Sequence, residues 1–101
     1  MKISTLESAP KVQFNLDGYI MHTSDSLEVI HLCLQPGQAI PQHTNPFDVV
    51  ACLVEGEVTL LTGDKQVKLK IHNVAEIEKG AERGFTNNGI LEARLLILKK
   101  F

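Results

Sequence analysis

The chain has 101 residues, 44% of them apolar and 22% charged, with a net charge of −2 when its four histidines are neutral. That length suits one domain, with a core large enough to fold without disulfides or a structural metal. The near-neutral balance gives no long-range pull on nucleic acid or an anionic membrane, so neither is an expected partner. The segment from Met1 to Pro10 lacks the apolar stretch of a secretory leader. The longest near-apolar run, Val49 to Val54, is far short of the roughly 20 residues that a membrane helix needs. The expected location is therefore the cytoplasm, where Cys33 and Cys52 stay as reduced thiols. Neither cysteine stands in a redox or metal-binding spacing.

The first dozen residues are consistent with either a loose arm or an edge strand. Val29 to Leu34 forms an apolar, β-branched run that ends at Gln35-Pro36-Gly37, a turn in which proline presets φ and glycine accepts a positive one. Val49 to Val54 follows, and Glu55-Gly56-Glu57 then leads at once into Val58 to Thr62, which reads as a tight hairpin. Gly63-Asp64-Lys65 makes the next turn, and Gln66 to Ile71 alternates as a strand with one wet face should. Asn73 to Ile77 gives a short strand, Asn87-Asn88-Gly89 a turn, and Ile90 to Leu98 a last strand. The leucines after Ala93 also fit a helical spacing, but the segment is short, uncapped and preceded by a glycine turn, which favours a strand. Turn signals recur about every 8 to 12 residues, the rhythm of an all-β sandwich or barrel. Val29 to Leu34 and Val49 to Val54 are apolar on both parities, so both their faces are expected to be covered. One face would fill an interior, and the other needs a second layer or a second subunit. His31 and Cys33 share a parity and should point the same way.

The glycines and the polar residues between them stand at telling intervals. Gly37, His43, Asn45, Val49 and Gly56 keep the spacing of the pattern G-x5-H-x-H-x3-E-x6-G, and Gly80, Arg83 and Asn87 that of P-x-G-x2-H-x3-N. These are the two sequence motifs of the cupin family. The stretches P-G-Q-A-I-P-Q-H-T-N, L-V-E-G-E-V and I-E-K-G-A-E-R-G-F-T-N carry the likeness. From Val29 to Leu98 the chain resembles a small single-domain cupin, which implies a jelly-roll β-barrel with motifs at 37–56 and 72–87. The resemblance also implies a two-fold homodimer packed sheet against sheet. Two departures lie inside the second motif: Glu78 replaces its proline, and His72 its leading glycine.

The larger departure is chemical. In that family two histidines and a glutamate of the first motif, with a histidine of the second, hold a metal ion; here those places read His43, Asn45, Val49 and Arg83. His43 keeps one donor, Asn45 offers a neutral amide, Val49 offers nothing, and Arg83 is a permanent cation that repels a metal. No metal or other cofactor is expected. Asp48 lies one residue from the missing glutamate, and a bulge there would bring it to bear; a weak metal site through His43, Asn45 and Asp48 is the competing arrangement.

Arg83 is expected to face the cavity as the histidine it replaces does, and its planar fork suits a carboxylate, phosphate or sulfate. The alternative is an exposed arginine paired with Glu76, Glu78 or Glu82. His43 and Asn45 would complete the site, with His31 on the opposite wall. His22 and His72 read as surface residues, and Phe85 as core. The leading functional reading is a metal-free cupin that binds a small polar or anionic molecule. The alternatives are a metal-independent isomerase or epimerase with His43 as base, a metal-dependent dioxygenase, and a barrel retained as a scaffold.

Overall fold

A computed structural model describes residues 1–13 and 16–101. Nine strands and no helix occur among the described residues: β1 (Asp17–Thr23), β2 (Leu27–Leu34), β3 (Ala39–His43), β4 (Asp48–Glu55), β5 (Val58–Thr62), β6 (Lys65–Leu69), β7 (Val74–Ile77), β8 (Arg83–Thr86) and β9 (Ala93–Lys100). They form two antiparallel sheets, a five-stranded one ordered β1-β2-β9-β4-β7 and a four-stranded one ordered β3-β8-β5-β6. From β2 onward this is a jelly roll, with β1 added at one edge. The all-β fold expected from the turn rhythm is the fold observed.

Alternate residues of each strand turn inward, as the period of two requires. Ile30, Leu32 and Leu34 of β2, Val49, Ala51 and Leu53 of β4, and Ala93, Leu95 and Ile97 of β9 form one wall of the core. Val58 and Leu60 of β5, Leu69 of β6 and Phe85 of β8 form the other. Phe85 is 4% exposed and is core, as expected. The leucine-rich end of the chain is a strand, and β9 is central, paired with both β2 and β4.

Three strands were not legible in the sequence. β1 is polar at both ends and irregular between Ile20 and His22. β3 is exposed at four of its five residues and contains a proline. β8 is four residues long with a glycine inside. None carries the run of alternating apolar residues that marks a strand. The first dozen residues are an arm that touches β1 briefly, through a single bridge between Lys11 and Tyr19.

The hairpin expected between Val49–Val54 and Val58–Thr62 is not formed, because β4 and β5 lie in different sheets. Gly56 has φ 78°, and a Cβ there would stand 2.6 Å from the Glu92 carbonyl and 2.9 Å from the Ala93 Cα. The turn is thus pressed onto the start of β9, and the chain crosses to the other sheet instead of doubling back. β6 also ends earlier than expected, at an edge, leaving Ile71 47% exposed. His72, in the place of the motif's leading glycine, adopts φ 73°, a conformation that costs a residue with a Cβ about 1–2 kcal/mol.

β9 begins at Ala93 and not at Ile90 because Asn87 holds the preceding loop. Its side chain is fully buried. Nδ2 donates to the carbonyls of Leu34 and Leu91, each at 2.9 Å, and Oδ1 accepts from Gly89 N at 2.9 Å. Its main chain bonds to Gly37 and Gln38. One residue therefore joins the end of β2, the turn after it and the loop before β9. Asn87→Ala would leave buried carbonyls without donors and should lower unfolding stability by about 2–4 kcal/mol. Urea unfolding with the slope unchanged is the measurement; a loss below about 0.5 kcal/mol would show that the staple is dispensable.

Candidate functional site

The site is set by how β3 lies on β8. Ile40 pairs with Phe85, and His43 pairs with Arg83. Three steps along β3 therefore match two along β8, so β3 carries one extra residue, a bulge at Pro41-Gln42. The extra residue changes parity. It brings His43 onto the face of β8 that Arg83 and Phe85 occupy; with a regular ladder Gln42 would stand there and His43 would look away. The bulge lies close over β8, since a Cβ on Gly84 would come 2.5 Å from the Ile40 carbonyl and 2.8 Å from Gln42 N. Only glycine admits this approach. Gln42, displaced outward, ties β3 to the β5–β6 turn by bonding Gly63 N at 2.9 Å and Gly63 O at 3.0 Å.

Arg83 faces inward and is 2% exposed. Its Nη1 donates to Ala81 O at 3.4 Å. The Asn45 amide, oriented so that both its ends are satisfied, accepts from Arg83 Nη2 through its oxygen and donates to Thr44 O at 3.1 Å. No carboxylate lies within 4.0 Å of the guanidinium among the described residues. The exposed arginine paired with Glu76, Glu78 or Glu82 is thus not what the fold contains. Burial holds the Arg83 pKa below the ordinary arginine value.

His43 is exposed at the mouth of the barrel. Its Nδ1 lies 3.1 Å from Pro41 O. A carbonyl only accepts, so Nδ1 holds the proton, and a neutral ring presents Nε2 with a free lone pair.

An open cleft of about 460 Å³ is lined by Val49, Val50, Leu60, Thr62, Ile77 and Ala81, with Asp48, Glu76, Glu78 and Lys100; Arg83, His43 and Asn45 are not among its lining residues. Asp48 does not replace the glutamate missing from position 49. β4 is regular here, so Val49 is the inward residue, paired with Ile77, and Asp48 has the opposite parity. Asp48 Oδ1 accepts from Lys79 N at 2.8 Å. Among the described residues, no three His, Cys, Asp or Glu side chains converge as metal ligands. One imidazole, one amide, an alkyl group and a guanidinium do not fit a transition metal.

His31 is not on the wall opposite Arg83. The inward residues of β2 are Ile30, Leu32 and Leu34, and His31 has the other parity. It points outward with Cys33, as their shared parity predicts; Cys33 Sγ lies 4.0 Å from His31 Nδ1. The Tyr19 ring meets that of His31 edge-on at 6.5 Å. Burial, and then the Arg94 charge, hold His31 below the usual histidine range. Burial pushes the Cys33 thiol up, which keeps it protonated and unreactive. His22 and His72 are exposed.

No family model matches the sequence, and no curated protein matches it. Solved structures do match. The TT1209 protein of Thermus thermophilus is 26% identical over 99% of this chain and 97% of its own, with a TM-score of 0.83. A predicted oxalate decarboxylase of Thermotoga maritima superposes with a TM-score of 0.88 at 12% identity, over 99% of each chain. An RmlC-like cupin of Shewanella frigidimarina gives 0.86 at 14% identity, over 99% of this chain and 90% of that one.

A buried charge with no acid beside it weakens a fold, and replacing it with an apolar group of similar length is often stabilising. Arg83→Met should raise unfolding stability by about 1–3 kcal/mol, read as a higher urea midpoint. A lower midpoint would show that the guanidinium serves the fold.

Proposed function

We propose that this small single-domain cupin binds a small anionic molecule at the mouth of its barrel, with Arg83 as the fixed charge. The observation that carries the reading is a guanidinium 2% exposed and without a carboxylate within reach among the described residues. A desolvated cation calls for an anion. The planar N–H groups of a guanidinium suit a carboxylate, phosphate or sulfate. Asn45 steadies the fork, and His43 stands across the ladder from it. The barrel that elsewhere in the family holds a cation would here hold the opposite charge.

The isomerase reading draws on one observation, the bond to Pro41 O that sets His43 Nε2 free to accept a proton. The acid that such a reaction needs is missing. Tyr19, the one tyrosine, pairs with His31 on the outside of the five-stranded sheet.

That outer face supports the proposed homodimer. Tyr19, His31, Leu96, Cys52 and Val74 run across it in one row, and Val29, Leu98 and Val50 in the next. Most are half-buried; Val74 is 58% exposed. A second copy laid on this face would cover both rows, with the two-fold symmetry usual for such pairs.

Three measurements follow. The melting temperature of the wild type should rise with a small carboxylate, against chloride at equal ionic strength, while Arg83→Met shows no rise; equal responses would refute an arginine-centred site. Elemental analysis of protein purified without chelator should find no stoichiometric metal, and one equivalent of iron, manganese, nickel or zinc would defeat the reading. Sedimentation equilibrium should give twice the chain mass, and Leu96→Lys should halve it; a wild type at the single-chain mass would rule out the dimer.

A further inference from the structure

We infer that Asn88 is a latent site of covalent modification: the Asn87 side chain locks the Asn88–Gly89 pair against conversion to aspartate and isoaspartate, and opening of that loop frees it. Of the five asparagines, Asn88 alone precedes a glycine. The reaction is attack by the following amide nitrogen on the asparagine side chain. Glycine, with no Cβ, obstructs that attack least and gives the backbone freedom that ring closure needs. Asn88 is also exposed to the water that completes the reaction, on the loop between β8 and β9.

Gly89 N gives up its proton to solvent base and bonds to Asn88 Cγ. The Cγ–Nδ2 bond breaks, and Nδ2 leaves as ammonia. Water then opens the five-membered ring. Cleavage of the new bond at Cγ leaves aspartate. Cleavage of the bond from Gly89 N to the Asn88 carbonyl carbon leaves isoaspartate, with the main chain running through Cβ and Cγ.

In the folded chain both reacting groups are engaged elsewhere. Gly89 N donates to Asn87 Oδ1 at 2.9 Å, and Asn88 Oδ1 accepts from Thr86 Oγ1 at 3.3 Å. The first bond is the firmer hold because Asn87 is itself fixed: its side chain is fully buried, and Nδ2 is bonded to Leu34 O and Leu91 O. Such a bond holds both the proton of Gly89 N and the plane of its peptide, and attack requires both to move. Conversion therefore runs from states in which that bond is broken, at a rate set by their population. The isoaspartyl product lengthens the main chain by one atom beside Asn87 and adds one negative charge, so Gly89 N no longer falls at the same place beneath Asn87 Oδ1.

The full chain, folded in buffer and unfolded in concentrated urea, is incubated at one mildly alkaline pH and followed at residue 88 by peptide mass spectrometry. The folded chain should convert at least about tenfold more slowly; equal rates would overturn the lock. Gly89→Ala in urea should convert severalfold more slowly than the wild type in urea, and an unchanged rate would show that Gly89 N is not the attacking group. Asn87→Ala should bring the folded rate to within about threefold of the unfolded one. A folded Asn87→Ala chain that converts no faster than the wild type would remove Asn87 from the lock. If that variant fails to fold, hydrogen exchange in the wild type decides. The Gly89 amide should exchange at least about tenfold more slowly than in the unfolded chain, and an unprotected Gly89 amide would overturn the inference.

Discussion

The position of Arg83 depends on how one strand of four residues is held. β8 is too short to fix its own register by apolar burial, since only Phe85 among its side chains is a core hydrophobe. It is gripped at both ends instead. On one side Asn87 bonds the carbonyls of Leu34 and Leu91 and the amide of Gly89. On the other the bulge of β3 presses against Gly84, where a Cβ would leave no room. A slip of one residue would undo both grips together and turn Arg83 out of the barrel. The same two contacts fix His43 opposite Arg83, so the fold and the site share one set of constraints.

Within that frame few side chains among the described residues could bind a cation. The barrel mouth keeps one imidazole, held by a carbonyl in a single tautomer. An inward alkyl group stands at position 49, and a cation at position 83. Such a set lacks the converging donors that a transition metal needs. Asp48, the residue best able to offset Arg83, is directed elsewhere by strand parity and occupied by the amide of Lys79.

Much of the fold was legible in the sequence because its signals are local. The long apolar runs Val29 to Leu34 and Val49 to Val54 mark their strands, and the leucine-rich segment after the glycine turn marks β9. β1, β3 and β8 were not visible, since their places are assigned by neighbours and not by their own alternation. The missed crossover after β4 has the same origin: Gly56 marks a turn, but which way the chain leaves it depends on Glu92 and Ala93, far along the sequence. His31 was misplaced for a related reason. Its parity was evident, but the face that turned inward was fixed by Ile30, Leu32 and Leu34 packing on the second sheet. The bulge at Pro41-Gln42, which decides where His43 stands, left as its one trace the proline inside an exposed strand.

Asn45 holds Arg83 in place without cancelling its charge. A guanidinium needs acceptors wherever it is buried, and the fold supplies two oxygens, those of Asn45 and Ala81. Both belong to neutral amides. They satisfy hydrogen bonds and orient the fork, yet they leave its formal charge uncancelled. A carboxylate at position 45 would be nearly isosteric and would bind the guanidinium far more strongly, and the resulting pair would have no further demand for a negative guest. Holding the cation by dipoles alone keeps it both ordered and electrostatically unfulfilled. That arrangement is costly for a structural arginine, and this cost is the support that it lends to the anion reading.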